Sequence, residues 1–258
     1  MNSRTIVFIH GMFVTPRCWS DWTAFFSGHG YTCHAPAYPR GREVSPEKQR
    51  LAHPSPELAE LRLTEVIEHY ARFVSQLPEK PILIGHSMGG LIAQLLVQRG
   101  LASAAVLISS GPPTGILSLE FSFLKSLFPM FNPFVSGNTP YLMPFSHWQY
   151  TFTHSIPLAQ QQASYEAQLV PESRHLPRDA IGATGKIDLT KAHVPLLFMA
   201  GSDDQIMPTE INKKNLAAYK DPTSTRAYKE FSGRTHFIIG QDKWQEVAEY
   251  ARSWIAQQ

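Results

Sequence analysis

The stretch from Pro81 to Leu96 constrains the fold most. Pro81-Ile82-Leu83-Ile84 is a short apolar run without alternation, and Leu91-Ile92-Ala93-Gln94-Leu95-Leu96 is an apolar helix former. Only Gly85-His86-Ser87-Met88-Gly89-Gly90 separates them. A buried strand that becomes a helix in so few residues brings the two backbones close together, so the flanking positions must lack side chains. Gly85 and Gly89 meet that need. The middle residue, Ser87, is forced into strained geometry and projects above the strand. There the N-terminus of the helix favours developing negative charge.

The rest of the chain repeats this alternation. Strands are expected at 5–9, 31–34, 81–84, 104–108, 195–200 and 226–231, several of them apolar on both faces, as in parallel sheets. Helical periodicity is clearest over 56–77, where Leu58, Leu61, Val66, Ile67, Tyr70, Phe73, Val74 and Leu77 recur close to every 3.6 residues. Further helices are expected at 17–26, 88–98, 209–219 and 243–256. Strands alternating with helices imply an α/β fold, a right-handed and mostly parallel sheet of about six strands with helices on both faces.

Two stretches break the rhythm. Residues 111–190 far exceed a normal strand-to-helix connection and carry Phe121, Phe123, Phe128, Phe131, Phe134 and Phe145. They are expected to form a helical lid over an apolar pocket. The expected division is therefore a core of 1–110 and 191–258 with a lid of 111–190. Residues 36–56, with five prolines and Arg40, Arg42, Lys48 and Arg50, are expected to be a solvated loop.

Composition excludes several function classes. With 43% hydrophobic residues and only 17% charged, the chain is not intrinsically disordered. Its 23 basic and 21 acidic side chains include no single-sign run of five or six, so nucleic acid is not an expected partner. No stretch reaches the roughly 18 apolar residues of a membrane span, and stable membrane insertion is not expected. The N-terminus lacks the pattern of a secretory leader. Cys18 and Cys33 are too few for a disulfide framework. Together these features imply a reducing, cytoplasmic setting. No HExxH or clustered His/Cys set occurs, so neither a metal nor another cofactor is expected. A homo-oligomer is neither indicated nor excluded.

A serine hydroxyl becomes a nucleophile only when a base takes its proton and a third group orients that base. After the strand at 195–200 comes Gly201-Ser202-Asp203-Asp204-Gln205-Ile206-Met207-Pro208, and after the strand at 226–231 comes Gly233-Arg234-Thr235-His236-Phe237. Ligand and catalytic groups of open α/β sheets gather at such strand ends. Either aspartate could instead begin the following helix, and the histidine alone would be an ordinary loop residue. In the order Ser, acid, His, they form a candidate triad. His10-Gly11-Met12 follows the first strand, and Gly11 keeps the backbone open there. An acyl-transfer site needs two N–H donors for its oxyanion. Met88 N–H is one candidate; Met12 N–H is the other, with Phe13 as its substitute.

These segments resemble the α/β-hydrolase superfamily over nearly the whole chain. The likeness rests on His-Gly-Met at 10–12, the Gly-His-Ser-Met-Gly-Gly elbow, the Gly-Ser-Asp-Asp-Gln-Ile-Met-Pro segment and Thr-His-Phe at 235–237. The family's acid motif selects Asp204 over Asp203. The shortened N-terminus, which begins at the family's third strand, is similar to plant methylesterases and hydroxynitrile lyases. One departure is Thr235 where the family usually has glycine before its catalytic histidine.

The resemblance implies a serine hydrolase acting on a small-molecule carboxylic ester with a hydrophobic or aromatic moiety. Its expected catalytic residues are Ser87, Asp204 and His236. Its oxyanion donors would be Met12 and Met88, and its turn glycines Gly11, Gly85 and Gly89. Alternatives on the same fold are a hydroxynitrile lyase, which finds no obvious pocket lysine beyond Lys125 in the lid, a cofactor-free perhydrolase or haloperoxidase, and an inert receptor.

Overall fold

The computed structural model describes residues 3–258. Six strands, β1 (Thr5–Ile9), β2 (Thr32–His34), β3 (Ile82–His86), β4 (Ala104–Ile108), β5 (Leu196–Gly201) and β6 (Arg226–Phe231), form one sheet in the order β2-β1-β3-β4-β5-β6. Every pairing is parallel. All residues of β1, β3, β4 and β5 are buried, which explains their unalternating apolar runs. The edge strands β2 and β6 are only partly covered and tolerate Thr32, Lys229 and Glu230. The strand order reverses between β1 and β3, so the loops after these two strands diverge around a crevice. That is where such sheets bind ligands.

The helices follow in chain order: α1 (Ser20–Gly28), α2 (Pro46–Leu51), α3 (Pro56–Ala59), α4 (Leu63–Ser75) and α5 (Met88–Gln98). After β4 come α6 (Phe121–Phe131), α7 (Phe145–Trp148), α8 (Leu158–Gln168) and α9 (His175–Ala180), and α10 (Thr209–Ala218) and α11 (Trp244–Ile255) complete the chain. Among the described residues no helix is long and apolar enough to cross a membrane. Cys18 is buried, Cys33 is half-buried, and both are unpaired.

The structure corrects two expectations. The helix expected over 56–77 is broken between α3 and α4, where Arg62 is extended at ψ 151°. Asp179, at the far end of the insertion, causes the break. Its carboxylate takes Arg62 in two hydrogen bonds and accepts the Leu63 N–H at 3.1 Å, capping α4 from outside. Residues 36–56 are not simply a solvated loop. Ser45 accepts the Lys48 N–H at the start of α2, and Arg42 is buried.

The insertion between β4 and β5 holds α6 to α9. Phe123, Phe131 and Phe152 face an internal cavity, and Phe145 packs against Tyr165 at a ring separation of 5.2 Å. Phe121, Phe128 and Phe134 instead lie exposed on the outside.

Candidate active site

Ser87 sits between β3 and α5 at φ 56° and ψ −120°. This is a conformation that L-residues adopt at a cost. It is held from several sides: the Ser87 N–H donates to the Ile108 carbonyl at 3.0 Å, and the Ser87 carbonyl accepts the N–H groups of Gly90 and Gly111, each at 2.9 Å. The glycines make the turn feasible. A Cβ on Gly89 would fall on the Ile9 carbonyl oxygen, and one on Gly85 would meet the Gly89 carbonyl carbon at 2.6 Å. At Gly11 a Cβ would lie 3.0 Å from the Ser87 Cβ, so the open backbone there leaves room for the serine itself.

Asp204 and His236 meet as expected. His236 Nδ1 lies 2.8 Å from Asp204 Oδ2, and both side chains are buried. Asp204 Oδ1 accepts the N–H groups of Ile206 at 2.9 Å and Met207 at 2.7 Å, so the carboxylate is oriented before it meets the histidine. Burial pushes the Asp204 carboxyl up, but His236 and the Met207 N–H outweigh it and hold the group below its ordinary value. Asp203 is only half-buried and accepts from the neighbouring Ser202 hydroxyl. It does not approach the histidine.

The loop holding His236 is built without a glycine at 235. Gly233 takes the left-handed turn at φ 69°, and Thr235 is pinned by its N–H and hydroxyl to Gln241 Oε1 at 3.1 and 3.3 Å. The Asp204 bond makes Nδ1 the protonated nitrogen, leaving Nε2 as a free acceptor. Nε2 is buried and has no hydrogen-bond partner among the described residues. Ser87 and His236 line the same cavity without a hydrogen bond between their side chains.

The two oxyanion alternatives separate here. Phe13, at φ 67°, gives its N–H to Glu172 Oε2 at 3.4 Å, and its carbonyl accepts from Val170. The Phe13 amide is thus engaged by Glu172, while no side chain takes the Met12 amide among the described residues. Met88 is the first residue of α5, a position whose N–H has no intrahelical partner. Met12 and Met88 both line the cavity.

The cavity encloses about 390 Å³, and none of its lining residues is Asp, Glu, Lys or Arg. Its walls include Leu91, Phe123, Leu127, Met130, Phe152 and Met207. The remaining polar groups are already satisfied. Thr114 donates to the Gly182 carbonyl and Ser126 to the Gln205 carbonyl. His147 donates from Nε2 to the Ser126 carbonyl and accepts the Tyr141 hydroxyl at Nδ1. Lys125 lies outside this cavity, in an outer groove with Phe121, Leu124 and Phe128, its Nζ 3.8 Å from the centre of the Tyr150 ring.

Sequence reasoning missed that His86 Nε2 donates to the His236 carbonyl and that Arg42 pairs with Glu172 beneath the Phe13 amide. His86 hid inside the elbow motif, and Arg42 inside a cluster of bases. Nothing local marked Glu172.

The sequence profile of the alpha/beta hydrolase family matches residues 6–250, and the chain belongs to that family. A methylesterase, MES16, from Arabidopsis superimposes with a TM-score of 0.71 at 15% identity, covering 98% of this chain and 99% of that one. Methylketone synthase I from tomato, solved with 2-tridecanone, gives 0.71 at 17% identity, covering 100% and 99%. A pyrethroid hydrolase from Sphingobium faniae JZ-2 gives 0.68 at 15% identity, covering 98% and 97%. At these identities the likeness is one of fold. No curated protein sequence matches the chain.

Proposed function

We propose that this protein is a serine hydrolase that cleaves an uncharged, apolar carboxylic ester through an acyl-enzyme. One observation carries the reading: the Asp204–His236 pair presents an unpartnered Nε2 to the cavity that Ser87 also lines. His236 Nε2 takes the Ser87 proton as Oγ attacks the ester carbonyl. The N–H groups of Met12 and Met88 receive the oxyanion, a donor whose loss typically costs about 3 kcal/mol. His236 then protonates the departing alcohol, and a water activated by the same nitrogen releases the acid.

Residues 111–190 act in this scheme as the lid that walls the substrate. A cavity without acidic or basic side chains, whose polar side chains other than Ser87 and His236 are satisfied internally, favours hydrocarbon on either side of the ester. The lyase alternative is weakened because Lys125 faces the outer groove. Two unpaired thiols fit a reducing, cytoplasmic setting.

The test is an initial-rate series on p-nitrophenyl esters of increasing acyl length, with Ser87→Ala as control and fluorophosphonate labelling in parallel. Serine-dependent hydrolysis and labelling are expected. Labelling without turnover on any ester would point to another reaction of the same serine. Absence of both would make the protein an inert binder and overturn the proposal.

A further inference from the structure

We propose that Glu172, held by Arg42, is a positioning residue for the loop that carries the Met12 oxyanion donor; the inference rests on the hydrolase reading above. Two segments distant in sequence converge on this carboxylate. Phe13 N–H, from the loop after β1, donates to Glu172 Oε2 at 3.4 Å. Arg42 Nη2, from the segment after β2, reaches the same oxygen at 3.0 Å, while Nη1 donates to the Pro171 carbonyl at 2.6 Å. Glu172 Oε1 accepts the Ser173 N–H at 2.9 Å, and the Glu172 backbone pairs in both directions with Tyr141. Arg42 is itself fixed, because Gln49 donates to its carbonyl.

The Glu172 side chain is fully buried and that of Arg42 is 4% exposed. A buried ion pair is a poor way to gain stability, since well-packed apolar residues of the same volume usually do as well or better. What apolar residues cannot supply is an acceptor at a fixed point. Phe13 needs one, because its amide is buried and its φ of 67° lies in the left-handed region that a phenylalanine avoids. Val170 N–H on the Phe13 carbonyl at 3.0 Å completes the grip. Glu172 thus draws the Phe13 amide away from the cavity and holds the turn that leaves Met12 facing Ser87. Without the acceptor, Phe13 relaxes toward negative φ and the neighbouring donor loses its aim.

Removing one charge alone would strand the other, so the test uses two neutral pairs. Arg42→Met with Glu172→Gln keeps an acceptor for Phe13; Arg42→Met with Glu172→Leu does not. The Gln pair is expected to keep kcat within about 3-fold, and the Leu pair to lose about 10- to 100-fold in kcat at nearly unchanged KM. Equal losses in both, or a rise in KM with kcat preserved, would reduce the pair to a structural tie and overturn the proposal. Hydrogen exchange at the Phe13 amide provides a readout that does not depend on turnover. Protection is expected in wild type and the Gln pair and should be lost in the Leu pair. Protection retained in the Leu pair overturns the positioning role even if Ser87 proves inert toward esters.

Discussion

His86 donates its Nε2–H to the backbone carbonyl of His236 across 2.9 Å, so the residue preceding the candidate nucleophile carries the loop of the candidate base. The two rings lie 4.7 Å apart. In the proposed reaction a proton would arrive on His236, and a neutral His86 beside it avoids a second positive charge in the same buried site. Burial, reinforced by His236, pushes His86 down to about 3. His10, stacked on Tyr38 behind the Met12 loop, is likewise pushed to about 3 by burial, against the pull of the Gly11 carbonyl.

These two neutral histidines predict a stability that falls on acidification. Their folded values lie below the ordinary 6.5, so from pH 6.5 down to about 3 the unfolded chain binds protons that the folded chain refuses. Each contributes a slope of about 1.4 kcal/mol per pH unit in that window. Urea unfolding at pH 7, 6 and 5 should show the decline, and His86→Gln should remove about one histidine's share of it. A stability flat over this range would contradict the assignment.

Ser87 should tolerate loss of its side chain but not keep its chemistry. Ser87→Ala and Ser87→Gly are both expected to be inactive and folded. The glycine variant should be the more stable by about 1 kcal/mol, because it relieves the positive φ. Urea midpoints decide this, and an alanine variant of equal stability would show that the elbow is not strained.

Asp204→Asn should lower kcat by roughly 10⁴-fold, as expected when a triad acid is neutralised. Asp203→Asn should change it by less than about 3-fold, because Asp203 bonds only its neighbour Ser202 and the Arg234 carbonyl. Steady-state kinetics on the same ester compare the two directly, and the reverse ranking would move the acid by one position.

A carboxylate at the far end of the acyl chain should lower kcat/KM by at least about 100-fold against the uncharged chain of equal length, since the cavity lining offers it no cation. Similar rates for a p-nitrophenyl hemiester and its alkyl counterpart would place the acyl group outside this cavity.

The sheet was legible because unalternating apolar runs mark strands covered on both faces, and the elbow because its glycines answer a contact visible in the spacing. The Asp203-Asp204 pair and His236 were legible by position at strand ends, and only the family resemblance singled out Asp204. The break at Arg62 was not, since Asp179 caps α4 from more than a hundred residues away and overrides an intact helical period. Arg42 read as a surface base for the same reason: its partner, Glu172, lies on the insertion. Contacts between the insertion and the core leave no local pattern, and the misreadings at Arg62 and Arg42 both fall on one.

The insertion also divides heredity within the protein. The groups proposed for chemistry stand on loops after β1, β3, β5 and β6, whereas much of the cavity wall comes from one contiguous segment between β4 and β5. Closing a longer loop costs only about 0.6 kcal/mol per doubling of length, so that segment can be lengthened or exchanged with little penalty to the sheet. On the proposed reading, selectivity could drift while the reaction stays put, provided the newcomer still offered a carboxylate where Glu172 now meets Phe13.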